Sequence, residues 1–244
     1  MKRKLIDKKV IVCIVIVVIL VIFGMKLYRN RRVHFEDNKM RQVMCLELGK
    51  DKDYMGLTYK DLEKIEELRI GPVGEFETIR DVAKCKNLKR LLVNVEITDR
   101  QAYYELFKKT KDGKMYYPFI TNKQVLRIER ELEEILRSVR GIEEFRFTNI
   151  NRTCDIKNVE FLKYAKNLKE IDMVFINIEN YSILENCSKL ERVDFSENNI
   201  KTADSLLKLK NVNKFILTGT PLAENEKEIK RLQEAFPEAE IIVD

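Results

Sequence analysis

The chain has 244 residues, of which 45% are hydrophobic and 35% are charged, with 8 glycines and 4 prolines. This composition excludes a collagen-like chain and a low-complexity disordered chain, and the length allows one large domain or two small ones. The formal net charge of +6 comes from residues 1–32, which carry nine basic side chains and one acidic one, whereas the rest carry 37 basic and 39 acidic ones. Because a phosphate-binding surface needs a clustered positive field, we expect no nucleic acid as a partner.

The first predicted element is a transmembrane helix within residues 1–32. The run Val10–Met25 contains no charged side chain, and the apolar character continues for two residues beyond Lys26. A helix of about 17–25 residues crosses the hydrocarbon core of a bilayer, and lysines at its ends can reach the headgroups. The run ends in FGMKLYRN, which contains no small-residue cleavage site, so an uncleaved anchor is predicted over a signal peptide. The run has no polar face, which argues against the third alternative, a buried core helix.

The charges that flank this run indicate its orientation. Five Lys and Arg residues precede the run and four follow it within residues 1–32. The positive-inside rule therefore favours, by a small margin, a cytoplasmic N-terminus and an extracytoplasmic remainder of the chain. The alternative is a membrane scaffold or regulatory subunit that faces the cytoplasm.

Residues 33–64 are predicted to form a juxtamembrane linker and an N-terminal cap. A short helix is expected over Asn38–Gly49, and Thr58 is a plausible N-cap for a second helix. The single histidine, His34, lies in the linker without neighbours that would make a catalytic site, so we expect it to be solvated.

A six-residue apolar pattern, LxxLxL, recurs six times in the chain. It starts at Ile65, Leu88, Ile142, Leu168, Leu190 and Val212. The positions three and six residues before each start are also apolar or nearly so: Leu62, Cys85, Val139, Ala165, Cys187 and Leu209, and Tyr59, Val82, Leu136, Leu162, Leu184 and Leu206. The LxL part has the period of a strand, and the pair before it has helical spacing. Because one such unit cannot bury its apolar face alone, the units are predicted to stack with their strands in one parallel sheet.

This pattern resembles the leucine-rich-repeat family, in particular its bacterial internalin-like kind. The resemblance covers about residues 40–244 and implies an α/β fold: a leucine-rich-repeat solenoid with a curved parallel sheet in residues 65–222, preceded by one transmembrane helix. The family consensus places an Asn three positions beyond the second strand Leu, which here only Asn198 matches. Other repeats have Ile150, Ile176 and Thr220 at that position. This departure predicts an irregular arc without a regular asparagine ladder.

The spacing of 54 residues between Leu88 and Ile142 predicts an insertion at about residues 99–134. Its expected elements are a helix over Asp99–Thr110 capped by Asp99, a turn at Asp112-Gly113, an aromatic loop with Tyr116, Tyr117 and Phe119, and a long helix over Asn122–Val139. A long excursion from a repeat array often carries a binding function. The aromatic loop is therefore either part of the core of the insertion or a partner-binding surface.

Residues 223–244 are predicted to form a C-terminal cap, which a repeat array needs to close its last apolar face. Glu226–Phe236 has helical spacing and is followed by Pro237, and Ile241–Val243 is expected to be a final strand.

No motif indicates catalysis, a cofactor or a metal site. The chain contains no GxGxxG, P-loop, GxSxG or HExxH motif and no CxxC pair. Cys85 and Cys187 share one repeat position, where a small buried side chain is expected. We therefore expect no enzyme, no cofactor, no metal ion and no small-molecule substrate. The alternative is an enzyme with another strand–helix fold, whose strand order would depart from the sequence order.

The outward side chains of the predicted strands form the candidate partner-binding surface. Equivalent residues of neighbouring parallel strands lie about 5 Å apart, so these side chains form rows across the concave face of the arc. The candidates are Arg69, Arg90, Leu92, Asn94, Arg146, Thr148, Asp172, Val174, Arg192, Asp194, Lys214 and Ile216. We expect a protein partner, with Leu92 and Ile216 as exposed apolar contacts on a row that is basic at one end and acidic in the middle. The alternative is a merely solubilising surface.

Overall fold

The computed structural model describes residues 8–94, 101–149, 152–156 and 158–244. Within these ranges the α-helices are α1 (Lys8–Arg29), α2 (Asn38–Glu47), α3 (Tyr59–Leu62), α4 (Gln101–Tyr104), α5 (Asn122–Ser138) and α6 (Glu226–Ala235). The strands are β1 (Glu67–Ile70), β2 (Arg90–Val93), β3 (Glu144–Thr148), β4 (Glu170–Val174), β5 (Arg192–Asp194), β6 (Lys214–Ile216) and β7 (Glu240–Ile242). Short 3₁₀ helices lie at Val73–Glu75, Arg80–Lys84, Glu160–Tyr164, Ser182–Asn186 and Ala203–Lys208.

The strands form one sheet in which every neighbouring pair is parallel. The spatial order β1 to β7 follows the sequence order without a crossover. The predicted stack of repeats is therefore confirmed, and the alternative strand order, with a switch in the sheet, is wrong.

The repeat pattern forms the core of this sheet. In each strand the second apolar residue of LxxLxL pairs with its equivalent in the next, along the buried line Leu68, Leu91, Phe145, Ile171, Val193 and Phe215. The six starting positions from Ile65 to Val212 are buried as well. Strand residues of the intervening positions point to the opposite face, because side chains alternate along a strand.

The back of the sheet is covered mostly by 3₁₀ turns. The apolar pair that precedes each strand lies in or just after such a turn in four of the repeats. In these turns the backbone N–H of Cys85 donates to the Val82 carbonyl at 3.0 Å, and that of Cys187 donates to the Leu184 carbonyl at 2.8 Å. A spacing of three residues suits a 3₁₀ turn, which completes one turn in that distance.

The insertion leaves the sheet uninterrupted, since β2 pairs directly with β3. Its long helix α5 begins with Thr121 as N-cap in a capping box with Gln124, and its buried face includes Ile128, Leu132 and Ile135. The predicted turn at Asp112-Gly113 is present, because Gly113 has a φ of 83° and the Thr110 N–H donates to the Lys114 carbonyl at 2.8 Å.

The helix predicted over Asp99–Thr110 is wrong beyond Tyr104. Asp99 itself lies outside the described residues, and α4 covers only Gln101–Tyr104. The chain then forms an antiparallel bridge between Lys109 and Met115, whose backbone pairing withdraws residues 108–110 from a helix.

The end of the first helix packs against the start of α3. The rings of Tyr28 in α1 and Tyr59 in α3 stack with centroids 4.7 Å apart. The Val33 N–H donates to the Leu57 carbonyl at 2.8 Å, and Arg32 forms an antiparallel bridge with Thr58. The segment between α1 and α2 is therefore held by backbone pairing, while His34 is exposed as predicted.

Candidate partner-binding surface

Two rows of outward side chains run across the sheet. Strand pairing defines the first row as Glu67, Arg90, Glu144, Glu170, Arg192, Lys214 and Glu240. It defines the second row as Arg69, Leu92, Arg146, Asp172, Asp194, Ile216 and Ile242. We call these two rows, with Thr148 and Val174 beyond them, the concave face. Val174, Lys214 and Ile216 are half-buried on it.

The charges of the concave face neutralise one another, most of them along an ion-pair ladder that runs from Arg69 to Asp194, and the remaining two in a separate pair. The ladder runs between strands through contacts of Arg90 with Glu67 and Glu144, each at 2.9 Å, and of Arg146 with Glu144 at 2.5 Å and Asp172 at 3.1 Å. It continues from Asp172 to Arg192, which also lies 3.6 Å from Asp194 and 3.9 Å from Glu170. Arg69 pairs with Glu67 at 2.8 Å, and Lys214 pairs with Glu240 at 2.7 Å. The predicted separation into a basic end and an acidic middle therefore does not appear as an uncompensated field.

Asp172 lies at the centre of the ladder between two guanidinium groups and is only 6% exposed. Burial raises the pKa of its carboxyl group, and the charges of Arg146 and Arg192 oppose this shift. Asp172 is therefore part of the framework of the surface more than an accessible contact.

Arg146 lies at the centre of the ladder beside Asp172. Its buried Nε lies 2.5 Å from Glu144 Oε1 and 3.1 Å from Asp172 Oδ2, so it contacts two carboxylates although the alignment is not that of a hydrogen bond. The Arg146 side chain as a whole is 37% exposed, so part of it faces solvent.

Leu92 and Asn94 were predicted on this surface, and both predictions are wrong as to exposure. Leu92 lies between Arg69 and Arg146 in the second row and is 6% exposed. Asn94 is buried with a φ of 58°, where its Oδ1 accepts from the Val73 N–H at 3.2 Å and its Nδ2 donates to the Thr148 carbonyl at 2.7 Å. The chain turns out of the strand at Asn94, which carries its side chain inward.

Asparagines do hold three of the loops at this end of the strands, those after β2, β3 and β5, although the family spacing identifies only one of them. Asn149 Oδ1 accepts from the N–H groups of Thr153 and Cys154, each at 2.9 Å, and its Nδ2 donates to the Phe175 carbonyl. Asn198 Nδ2 donates to the Met173 and Phe195 carbonyls. The predicted absence of a ladder is thus only partly right, because Asn149 serves from a position one residue earlier than the consensus.

The loops after β3, β4, β5 and β6 form a cleft at the edge of the concave face. Its volume is about 620 Å³, and its lining includes Phe119, Arg152, Phe175 and Glu197. The Arg152 guanidinium lies 5.3 Å from the centroid of the Phe175 ring. Phe175, Asn177, Glu197 and Arg152 all have φ between 49° and 61°, a region that non-glycine residues seldom occupy and that clusters at functional sites. We call these four residues with Phe119 the rim.

The residues of the aromatic loop differ in exposure, so some fit the core of the insertion and others fit a contact surface. Phe119 is 79% exposed at the rim, and Tyr116 is also exposed. Tyr117 is half-buried and packs against the core, and the neighbouring Met115 and Ile120 are buried. No sequence pattern indicated Arg152, Phe175 or Glu197, because the rim arises from loops of three different repeats.

Four cysteines, one in α2 and three in the repeats, are shielded from solvent in this structure. Cys45, Cys85, Cys154 and Cys187 are buried and unpaired by disulfides. Burial raises the pKa of Cys85 and of Cys154 to about 12, where almost no reactive thiolate exists at neutral pH. In the part of the chain that the structure covers, no three His, Cys, Asp or Glu side chains are grouped so that they could hold a metal ion.

Solved structures resemble this chain in fold. Internalin C2 of Listeria monocytogenes strain 4b F2365 matches with a TM-score of 0.51 and 18% identity, covering 85% of this chain and 83% of its own. The fold is a leucine-rich-repeat solenoid. No protein-family model matches the sequence, and no curated protein does.

Two further structures show weaker likeness to this leucine-rich-repeat solenoid. Another internalin of the same Listeria strain, InlF, has a TM-score of 0.34 and 12% identity over 86% of this chain and 75% of its own. A leucine-rich-repeat protein of Leptospira interrogans has a TM-score of 0.41 and 15% identity over 66% of this chain and 44% of its own.

One helix of the described residues is long and apolar enough to cross a membrane. It spans Val10–Arg29 within α1, and none of its hydrophobic window is buried by the rest of the protein. Its length and composition suit a membrane span, and an N-terminal signal sequence has the same features.

Proposed function

We propose that this chain is a membrane-anchored leucine-rich-repeat protein that binds a protein partner through its concave face and rim, without catalysis. The observation that carries the proposal is the cleft of about 620 Å³ at the edge of the concave face, where four non-glycine residues adopt positive φ around the exposed Phe119.

The rim supplies the apolar part of this proposed interface. Phe119 exposes most of its ring next to the Arg152–Phe175 pair. Aromatic and arginine side chains dominate the binding energy of protein interfaces because they bury much area with few rotatable bonds. Phe119 thus remains a proposed contact, together with Tyr116, and Tyr117 is proposed to support them from below.

The rigidity of the concave face favours binding, compared with a flexible surface that a partner would first have to order. The ion-pair ladder and the loop asparagines hold the concave face in one arrangement before a partner arrives. A rigid surface loses little conformational entropy on association, so more of the contact energy appears as affinity.

The proposed anchor is α1, retained as part of the mature protein. Its last turn packs on the cap through Tyr28 and Tyr59, and the Arg29 Nε donates to Glu63 Oε1 at 2.8 Å. Cleavage of the helix would remove these contacts from the cap. We place the repeat region outside the cytoplasm, and the cytoplasm-facing scaffold is the alternative.

Site-directed photocrosslinking in membranes tests the binding surface. A photoreactive residue replacing Arg146 or Phe119 in the full chain is expected to capture a discrete protein partner. The same residue replacing Glu185, which is exposed on the 3₁₀ helix behind the sheet, is the matched control. Equal capture from both faces, or capture from Glu185 alone, would contradict the proposal.

The orientation is tested by labelling from one side of intact cells. The natural cysteines of the repeat region are buried, so the probe is Lys230→Cys, at a side chain 75% exposed in α6. Labelling by an impermeant maleimide in intact cells supports an extracytoplasmic repeat region. Labelling only after the membrane is permeabilised supports the cytoplasm-facing alternative.

A further inference from the structure

The junction between α1 and the cap forms a second, separate cleft. The Tyr28–Tyr59 stack and the hydrogen bond from the Tyr59 N–H to the Arg31 carbonyl, at 3.2 Å, hold the start of α3 beside the last turn of α1. The space between them has a volume of about 360 Å³. It is lined by Ile22, Met25, Lys26, Arg29, Asn30 and Lys60.

This junction cleft changes character along the helix axis. Ile22 and Met25 belong to the apolar run of α1, whereas Lys26, Arg29 and Asn30 lie at its end. Lys60 comes from α3 and completes the polar side. The cleft is therefore apolar toward the middle of the helix and cationic toward the cap, which is the polarity of a lipid at a membrane boundary.

The positive charge of the junction cleft is only partly compensated. Arg29 pairs with Glu63, which neutralises one of the three cations. Lys26 and Lys60 have no ion-pair partner anywhere in the described ranges. Two lysines of separate elements thus face one small space with their charges available to an anion.

We propose that this cleft binds the phosphate headgroup of an anionic phospholipid in the leaflet nearest the repeat region. The inference rests on the proposed membrane anchoring by α1. The lipid phosphate accepts hydrogen bonds from Lys26, Lys60 and Asn30, while an acyl chain lies along Ile22 and Met25. A zwitterionic lipid binds less well, because its own cationic group would meet the two lysines.

Lipid retention by the full chain in detergent tests this site. Native mass spectrometry counts lipids bound during titration with phosphatidylglycerol or with phosphatidylcholine of the same acyl chains. We expect a preference for phosphatidylglycerol that falls about fivefold in Lys60→Ala, the loss of one cation at an anionic headgroup. Lys60→Arg should restore the preference.

The matched control is Lys64→Ala, which removes the same charge from an exposed lysine that does not line the cleft and lies 3.6 Å from Asp61. It should leave the preference unchanged. Equal retention of the two lipids by the unmodified chain, or equal loss in Lys60→Ala and Lys64→Ala, would overturn the site. Competition by soluble inorganic phosphate would also overturn it in favour of a free-anion site.

Flotation separates failure of this site from failure of the anchor. The full chain is mixed with vesicles of phosphatidylcholine alone, where the headgroup site contributes no charge selection. A chain that floats but shows no lipid preference overturns the headgroup site and leaves the anchor intact. A chain that does not float overturns the anchor, and the headgroup site with it.

Discussion

Asp37 and Asp81 hold the junction between the cap and the first repeats from opposite sides. The Asp37 N–H donates to Asp81 Oδ2 at 2.9 Å, while the Asp37 carboxylate accepts from the N–H groups of Met40 and Glu77. Both side chains are buried, and Asp81 is fully so. Two loops far apart in sequence are thus joined by carboxylates that satisfy backbone donors, which would otherwise be buried without partners.

Asp81→Asn should destabilise the protein by about 1–3 kcal/mol, because an amide has one acceptor oxygen for the two backbone donors and Lys84 that Asp81 serves. The free energy of unfolding by denaturant measures this loss. Asp53→Asn, at an exposed loop position, is the control and should change little. A loss no larger than that of the control would refute the role of Asp81.

Arg146→Gln should weaken partner capture while the melting temperature stays nearly constant, because a partly exposed ion pair is worth only about 0–1 kcal/mol. Asp172→Ala should behave differently and lower stability by about 1–3 kcal/mol, since it leaves Arg146 and Arg192 facing each other without their shared carboxylate. Thermal unfolding and partner pull-down on both variants separate the two effects. Equal destabilisation by both would count against the distinction.

Tyr181→Phe should stabilise the protein by about 1 kcal/mol. The Tyr181 ring is buried and stacks on Phe195 with centroids 3.8 Å apart, but its hydroxyl has no hydrogen-bond partner within the described residues. Removing a buried, unsatisfied hydroxyl relieves its desolvation cost and keeps the stack. Tyr116→Phe, at an exposed ring, serves as the comparison, and a less stable Tyr181→Phe protein would show that the hydroxyl is satisfied.

Glu228 should make stability depend on pH in the acid range. A hydrogen bond from the Ala203 N–H at 2.8 Å and the contact with Arg231 lower the pKa of its carboxyl group. The ionised form is thus favoured by folding, so its stabilisation is present above the ordinary Glu pKa and is lost as pH falls through the lowered value. Unfolding of Glu228→Gln should be easier than that of the unmodified chain near neutrality and equal at strongly acidic pH. Glu224→Gln, exposed and nearby, should show no such convergence.

The four buried cysteines, one in α2 and three in the repeats, should resist thiol reagents until the protein unfolds. Cys85 and Cys154 combine complete burial with a pKa raised to about 12. In a Cys13→Ser background, the native chain should react slowly and the denatured chain should release four thiols. Fast reaction of any native thiol would show that the segment around it opens locally.

Much of the fold could be predicted because the same apolar pattern occurs six times in the sequence. Each of Ile65, Leu88 and Val212 is an ordinary apolar residue, but their shared register fixes which side of every strand is buried. The extent of α4 could not be predicted, because the bridge between Lys109 and Met115 competes with the helix through contacts between distant residues.

The candidate surface was less predictable than the core. Alternation placed Arg146 and Asp172 in one row, as the strand pairing has them. Alternation could not show that Leu92 is covered or that Asn94 turns inward, because both depend on long neighbouring side chains and on a left-handed backbone at the strand end. The rim was beyond sequence reasoning, since Arg152, Phe175 and Glu197 converge only when three repeats stack.

The ion-pair ladder has a kinetic consequence for any partner of the concave face. Its carboxylates and guanidinium groups cancel over a few ångströms, so little electric field extends into solvent to guide diffusing molecules. Encounters should then proceed at the pace of unsteered diffusion and vary little with ionic strength. Selectivity would be exerted after contact, through slow dissociation of whatever fits the curvature.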